Sequence, residues 1–133
     1  MQDTPKIVIT VGDEAGIGPE IILKALASKD IPRKINILIV GNKKNLISKY
    51  LFLKSLGIKK IVDPNQLEIE DLKISNDNIK EPSNITGNAS FLYLKHAIEI
   101  VKNTTNSALV TSPICKKLWN SAGHNYSGQT ELL

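Results

Sequence analysis

The sequence predicts an α/β fold built on a mostly parallel sheet, and three observations carry that expectation. Short β-branched runs at Ile7 to Val11, Ile35 to Val40 and Ala108 to Val110 are strand-sized and almost free of polar positions, as strands covered on both faces are. They alternate with longer stretches of helical periodicity. The joints between them carry glycine, proline and capping residues. The order β-α-β-α-β, an excursion, then α-β-α calls for right-handed crossovers, which bring the loops after the strands to one edge of the sheet.

Each element has its own signal. After the first strand, Gly18 sits at a helix N-cap position, with Pro19 at the first helical position and Glu20 against the positive end of the helix dipole. Ile21, Ile22, Ala25 and Leu26 give that helix an apolar stripe through Ser28, and Pro32 interrupts it before the second strand. Asn42 caps a helix through Lys54, with Leu46, Ile47, Tyr50, Leu51 and Leu53 on successive turns and Gly57 as its stop. Ile58 to Val62 is the candidate third strand. Gln66 to Ser83 is polar and irregular, suited to a short hairpin or an excursion from the main layer.

Regularity returns at Asn84, and from Ala89 to Asn103 the residues Ala89, Tyr93, Ala97 and Ile100 make a broad apolar helical face. His96 within it has no ligand-type residue four positions on and reads as structural. Ser107 to Thr111 is the next strand. Ser112 as cap and Pro113 at the first helical position then start a helix over Ile114 to Ala122, closed by Gly123. A polar loop follows, and Thr130 to Leu133 begins a further helix.

Composition sets the outer bounds. The 133 residues, 41% hydrophobic and 23% charged, suit one globular unit with a real core. No apolar run approaches the length of a membrane span, and the first residues lack a signal-peptide core, so a cytoplasmic protein with no membrane partner is expected. The lone cysteine, Cys115, excludes an internal disulfide. The net charge of +4 raises nucleic acid as a partner, yet the lysines are scattered and aromatics make up only 5% of the chain. A solvated helix surface therefore accounts for them better than a nucleic-acid interface.

The turn Gly12 to Pro19 is the candidate ligand loop. Gly16 and Gly18 lack a Cβ, so backbone N–H groups at the helix start can approach an anion, or the glycines simply let a tight turn close. The spacing Gly12, Gly16, Gly18 fails the dinucleotide fingerprint, and Pro19 after Gly18 fails the P-loop. Ser112 to Lys116 would open on the same edge. Lys116 there is either a contact for a phosphate ester or a surface lysine.

Four stretches in order then resemble one family: Gly12-Asp13-Glu14-Ala15-Gly16-Ile17-Gly18-Pro19-Glu20, Thr86-Gly87-Asn88-Ala89-Ser90-Phe91, Ala108 to Lys116, and Ala122-Gly123 with Ser127-Gly128-Gln129-Thr130-Glu131. Together they resemble the amino-terminal part of the 4-hydroxythreonine-4-phosphate dehydrogenases of vitamin B6 (pyridoxal phosphate) biosynthesis. The resemblance covers residues 1–133 as a single amino-terminal portion, the carboxyl-terminal portion being absent. It implies an isocitrate/isopropylmalate-dehydrogenase-like three-layer fold, and NAD-dependent oxidation and decarboxylation of 4-phosphohydroxy-L-threonine to 3-amino-2-oxopropyl phosphate. It further implies a homodimer and a divalent metal, Zn, Mg or Co, whose ligands match segments beyond Leu133. On that basis these residues alone are expected not to turn over.

By the same resemblance, Gln129, Thr130 and Lys116 are the substrate-binding candidates, and Gly16 and Ile17 lie against the cofactor by analogy of fold. No catalytic residue and no metal ligand is assigned within the chain. Gln129 stands where the family has histidine, and an amide can hydrogen-bond but cannot carry a proton near neutral pH. Cys115 before Lys116 departs from the usual polar residue and reads as a small helix residue. Two other function classes stay open: a noncatalytic binding or dimerisation module, and a dehydrogenase of the same fold acting on another phosphorylated hydroxy acid.

Overall fold

In the computed structural model, which describes residues 4–74 and 81–133, four strands and five helices follow one another. The order is β1 (Lys6–Thr10), α1 (Gly18–Ala25), β2 (Asn36–Gly41), α2 (Lys43–Ser55), a 3-10 turn at Pro64–Gln66, β3 (Glu68–Asp71), α3 (Asn84–Lys102), β4 (Ser107–Thr111), α4 (Lys116–Ser121) and α5 (Gln129–Leu132). The sheet is wholly parallel in the order β3-β2-β1-β4. The expected α/β class with a parallel sheet is therefore the one observed.

Register follows from burial. Ile7, Val8 and Ile9 of β1 lie between Ile37, Leu38 and Ile39 of β2 and Ala108, Leu109 and Val110 of β4. The central strands β1 and β2 carry the core residues Val8, Ile9, Ile39 and Val40. Right-handed crossovers place α1 and α2 on one face and α3 on the other. In keeping with this, α3 packs over β1, β2 and β4, whereas α1 leans on α2. Leu23, Leu46 and Leu53 fill the core from one layer, and Ala89, Tyr93 and Ala97 fill it from the other. A second cluster forms where α4 meets α3: Trp119 is fully buried, meets Phe91 edge-on at 5.2 Å between ring centroids, and donates its indole N–H to Ser90 Oγ at 2.8 Å.

Several expected boundaries are corrected. Gly18 is the first residue of α1, and Ile17 is its N-cap, with no side-chain cap bond. The third strand is not Ile58 to Val62 but Glu68–Asp71. Ile61 is instead buried in the core, and the Val62 N–H bonds the Leu23 carbonyl at 3.0 Å, closing the chain over α1. An alternating, acid-rich segment such as Glu68-Ile69-Glu70-Asp71 suits the edge of a sheet, where charge discourages further pairing. Helix α3 begins at Asn84, where regularity is expected to return, and Ser83 and Thr86 form a capping box there. In α2 the cap is Asn42, as expected, but Leu51 stays 59% exposed while Leu53 is buried. Two positions apart on a helix is a rotation of about 200°, so these leucines cannot share a face. The expected hairpin or excursion over Gln66 to Ser83 includes residues 75–80, which lie outside the described residues.

Candidate ligand edge at the junction of two loops

Strand order reverses between β1 and β4, because the chain first steps from β1 to β2 to β3 and then returns to the other side of β1. At such a switch point two consecutive loops diverge, and the crevice above the strand ends is where open α/β sheets take ligands. The loop after β1 and the loop after β4 meet there. Gly12 has φ +70°, and a Cβ on it would lie 2.3 Å from the Pro113 carbonyl oxygen. The Asp13 N–H donates to that same carbonyl at 3.1 Å. A Cβ on Gly18 would lie 2.1 Å from the Val11 carbonyl oxygen and 3.0 Å from Ser112 Cβ. The two glycines thus let the loops approach more closely than any side chain permits.

Ser112 is the hub of this junction. It is buried and lies against Gly18 on one side, while its carbonyl accepts the Gln129 side-chain N–H at 3.2 Å on the other. The sequence cast Ser112 and Pro113 as a helix cap and first turn. Helix α4 in fact starts at Lys116 with Cys115 as N-cap, which frees the carbonyls of Ser112 and Pro113 to join the neighbouring loops.

Of the five candidate residues, Gln129 has a bond to this hub, while Thr130 and Lys116 are neighbours in sequence, of Gln129 and of the hub respectively. Gln129 opens α5 and bonds Ser112, and its Oε1 is buried without a hydrogen-bond partner among the described residues. Thr130 follows it, exposed. Lys116 opens α4, exposed, and its ammonium group acts on the Glu131 carboxylate. That carboxylate is held below the usual range first by the Ser127 hydroxyl, then by the Ser127 N–H, with Lys116 adding to both. Gly16 and Ile17 stand apart on the β1 loop, both exposed, with Ile17 at 61% and the Gly16 N–H turned back to the Asp13 carbonyl at 2.9 Å.

The loop before α5 is anchored to α3. The His124 ring stacks on Phe91 with centroids 3.7 Å apart and planes 9° apart, and its Nε2 lies 2.7 Å from Asn88 Oδ1. Burial, and then the Lys95 charge, lower the His124 pKa below 6.5 and favour the neutral ring. His96 faces Glu70 at 3.6 Å instead and takes no part in the junction.

The acids of the β1 loop are the residues that sequence reasoning passed over. Asp13 is 4% exposed and Glu14 5% exposed. Asp13 Oδ1 accepts from the Ala15 N–H at 2.9 Å, and Oδ2 lies 3.3 Å from the Thr86 hydroxyl, whose single proton it shares with the Ser83 carbonyl at 3.0 Å. The Glu14 carboxylate accepts from the Asn45 amide and from the Tyr93 hydroxyl. Two adjacent acids between an apolar strand and a helix were the available signal. Among the described residues no group of three or more His, Cys, Asp or Glu side chains is placed to hold a metal ion. Nor is any helix among them long and apolar enough to cross a membrane.

A parallel sheet with a switch point, two interlocked loops and helices opening on the same edge defines an α/β protein with its ligand edge at the strand carboxyl ends. The family described as pyridoxal phosphate biosynthetic protein PdxA matches residues 33–133, and the chain belongs to that family. Over 97% of its length the chain is 40% identical to a 4-hydroxythreonine-4-phosphate dehydrogenase of Nostoc sp., spanning 37% of that protein. Over its whole length it is 35% identical to a putative D-threonate 4-phosphate dehydrogenase of Oceanobacillus iheyensis, spanning 43% of it. A crystal structure of a 4-hydroxythreonine-4-phosphate dehydrogenase from Burkholderia phymatum superposes with a TM-score of 0.84 at 27% identity, covering 99% of this chain and 43% of that one. The chain therefore spans about two fifths of the length of the relatives it matches.

Proposed function

We propose that this chain supplies the amino-terminal part of an NAD-dependent dehydrogenase that oxidises 4-phosphohydroxy-L-threonine and decarboxylates the product to 3-amino-2-oxopropyl phosphate. In that reaction the secondary alcohol gives a hydride to the nicotinamide and a proton to a base. The resulting β-keto acid then loses carbon dioxide. The single observation that supports the reading is Gln129 at the switch point, its amide N–H held by the Ser112 carbonyl and its Oε1 buried without a hydrogen-bond partner among the described residues. A buried acceptor left unpaired is costly, so a substrate N–H or O–H delivered there gains a bond that the protein already holds in place. Lys116 supplies a cation for the phosphate.

Gly16 and Ile17 suit the cofactor in this reading, because the turn is exposed and Gly16 leaves room for close approach. The described residues do not form a metal-ligand set, so the divalent ion of this reading is assigned to other residues. Sites shared between the subunits of a homodimer belong to the same proposal. A second reading keeps the fold and changes the substrate to D-threonate 4-phosphate, supported by the 35% match over this chain's whole length to a relative of that name.

NADH formation tests both readings. Each phosphorylated substrate is offered with NAD and a divalent metal to the 133-residue chain and to the same chain extended by its downstream codons. Turnover of 4-phosphohydroxy-L-threonine by the extended protein only is the expected result. Preference for D-threonate 4-phosphate selects the second reading. Metal-dependent turnover by the 133 residues alone overturns the assignment of essential groups to other residues.

A further inference from the structure

The geometry points to Glu14 as a positioning residue that clamps the glycine loop from both layers of the fold. Its carboxylate lies over the carboxyl end of the sheet, 5% exposed, and accepts hydrogen bonds from two elements on opposite faces. One donor is the Asn45 amide in the first turn of α2, and the other is the Tyr93 hydroxyl on α3. Asn45 is itself fixed, since its backbone N–H bonds the Asn42 cap at 3.3 Å, and Tyr93 is fully buried in the core. A carboxylate taken out of water needs such donors, and donors held rigidly fix the carboxylate in return.

The consequence falls on the neighbouring residues. With Asn45 on one face and Tyr93 on the other, Glu14 secures the backbone just before Gly16 and Ile17 on both sides of the sheet, and Asp13 adds a weaker, shared contact to Thr86 on α3. The exposed turn at Gly16 and Ile17 is thereby presented with its backbone already shaped, which lowers the ordering cost a ligand meets. The inference rests on the cofactor reading above for the identity of that ligand, but the clamp itself does not. It assigns Glu14 a role through the loop and no contact with reacting atoms.

Hydrogen exchange and NADH titration on the full-length protein separate these parts. In Glu14→Ala the amides of residues 12–17 are expected to exchange about tenfold faster, while those of β2 and β4 keep their protection. NADH affinity should fall by a similar factor, about tenfold, through loss of preorganisation. Glu14→Gln should restore both, because its amide oxygen accepts from Asn45 and its NH₂ group can donate to the Tyr93 oxygen. Tyr93→Phe removes one hydroxyl without changing shape and carries the test if the alanine variant does not fold.

Unchanged loop exchange in Glu14→Ala and Tyr93→Phe overturns the clamp. Faster exchange with unchanged NADH affinity overturns the positioning role. If the unmutated protein binds no NADH while the loop still loosens in Glu14→Ala, the clamp stands and the cofactor assignment at Gly16 and Ile17 falls.

Discussion

Three glycine-to-alanine substitutions separate backbone conformation from close approach and test the loop junction quantitatively. Gly57→Ala introduces only a conformational cost, because Gly57 has φ +84° and a Cβ there meets nothing within 4 Å. Holding alanine in the left-handed region costs about 1 kcal/mol. Gly12→Ala, at φ +70°, carries the same cost and adds a Cβ 2.3 Å from the Pro113 carbonyl oxygen and 2.9 Å from that of Ser112. Both contacts are with backbone, which cannot rotate aside, so the loops must part, at about 2 kcal/mol more. Gly18→Ala isolates the second effect, with its Cβ 2.1 Å from the Val11 carbonyl oxygen, less the roughly 1 kcal/mol that alanine gains over glycine within a helix. The expected order of stability loss is therefore about 3 kcal/mol for Gly12→Ala and about 1 kcal/mol for each of the other two. For a chain of 133 residues about 4 °C of Tm corresponds to each kcal/mol, so Gly12→Ala should melt about 12 °C lower and Gly57→Ala about 4 °C lower. Circular dichroism melts with urea titrations decide the matter. A Gly12→Ala protein that melts within about 2 °C of Gly57→Ala would show that the two loops are not interlocked as described.

Further outcomes follow from the anchors around the junction. His124 has a folded-state pKa below 6.5, lowered first by burial and then by Lys95. Its contribution to stability is therefore complete above the unfolded value and is lost as pH falls through the folded value. Proton NMR should find the ring titrating below the free-histidine range, and Lys95→Met should raise the pKa only part of the way, because burial is the larger cause. For Glu131, whose pKa lies below 4.5 chiefly through the Ser127 hydroxyl, the contribution is present above the unfolded value and fades as acid titrates the folded carboxylate. Ser127→Ala should bring the Glu131 carbonyl-carbon titration back toward 4.5, and no change would remove Ser127 as the cause. Ser90→Ala leaves the fully buried Trp119 indole N–H without its 2.8 Å acceptor. That should cost about 2 kcal/mol in urea unfolding followed by tryptophan fluorescence, and a loss below about 0.5 kcal/mol would count against the bond.

What the sequence determined by itself is local in origin. The β-branched runs placed β1, β2 and β4 to within a residue or two, since a side chain that prefers a pleated, covered surface needs no distant partner to say so. Asn42 announced α2 because a cap bonds within three residues of itself. The glycine spacing excluded the dinucleotide fingerprint, and four short motifs pointed to the family to which the chain belongs. The tertiary structure decided whatever depends on residues far apart in the chain. Glu68-Ile69-Glu70-Asp71 is a strand because β2 offers it an edge, whereas Ile58 to Val62 looked more strand-like but faces α1. Ser112 became a hub because Gly18 and Gln129, far apart in the chain, both reach it. Glu14 is buried because Asn45, 31 residues on, and Tyr93, 79 residues on, converge over the sheet end to receive its carboxylate. Periodicity and capping act over a few residues, but solvation of a buried charge is settled by whichever donors the topology brings within reach.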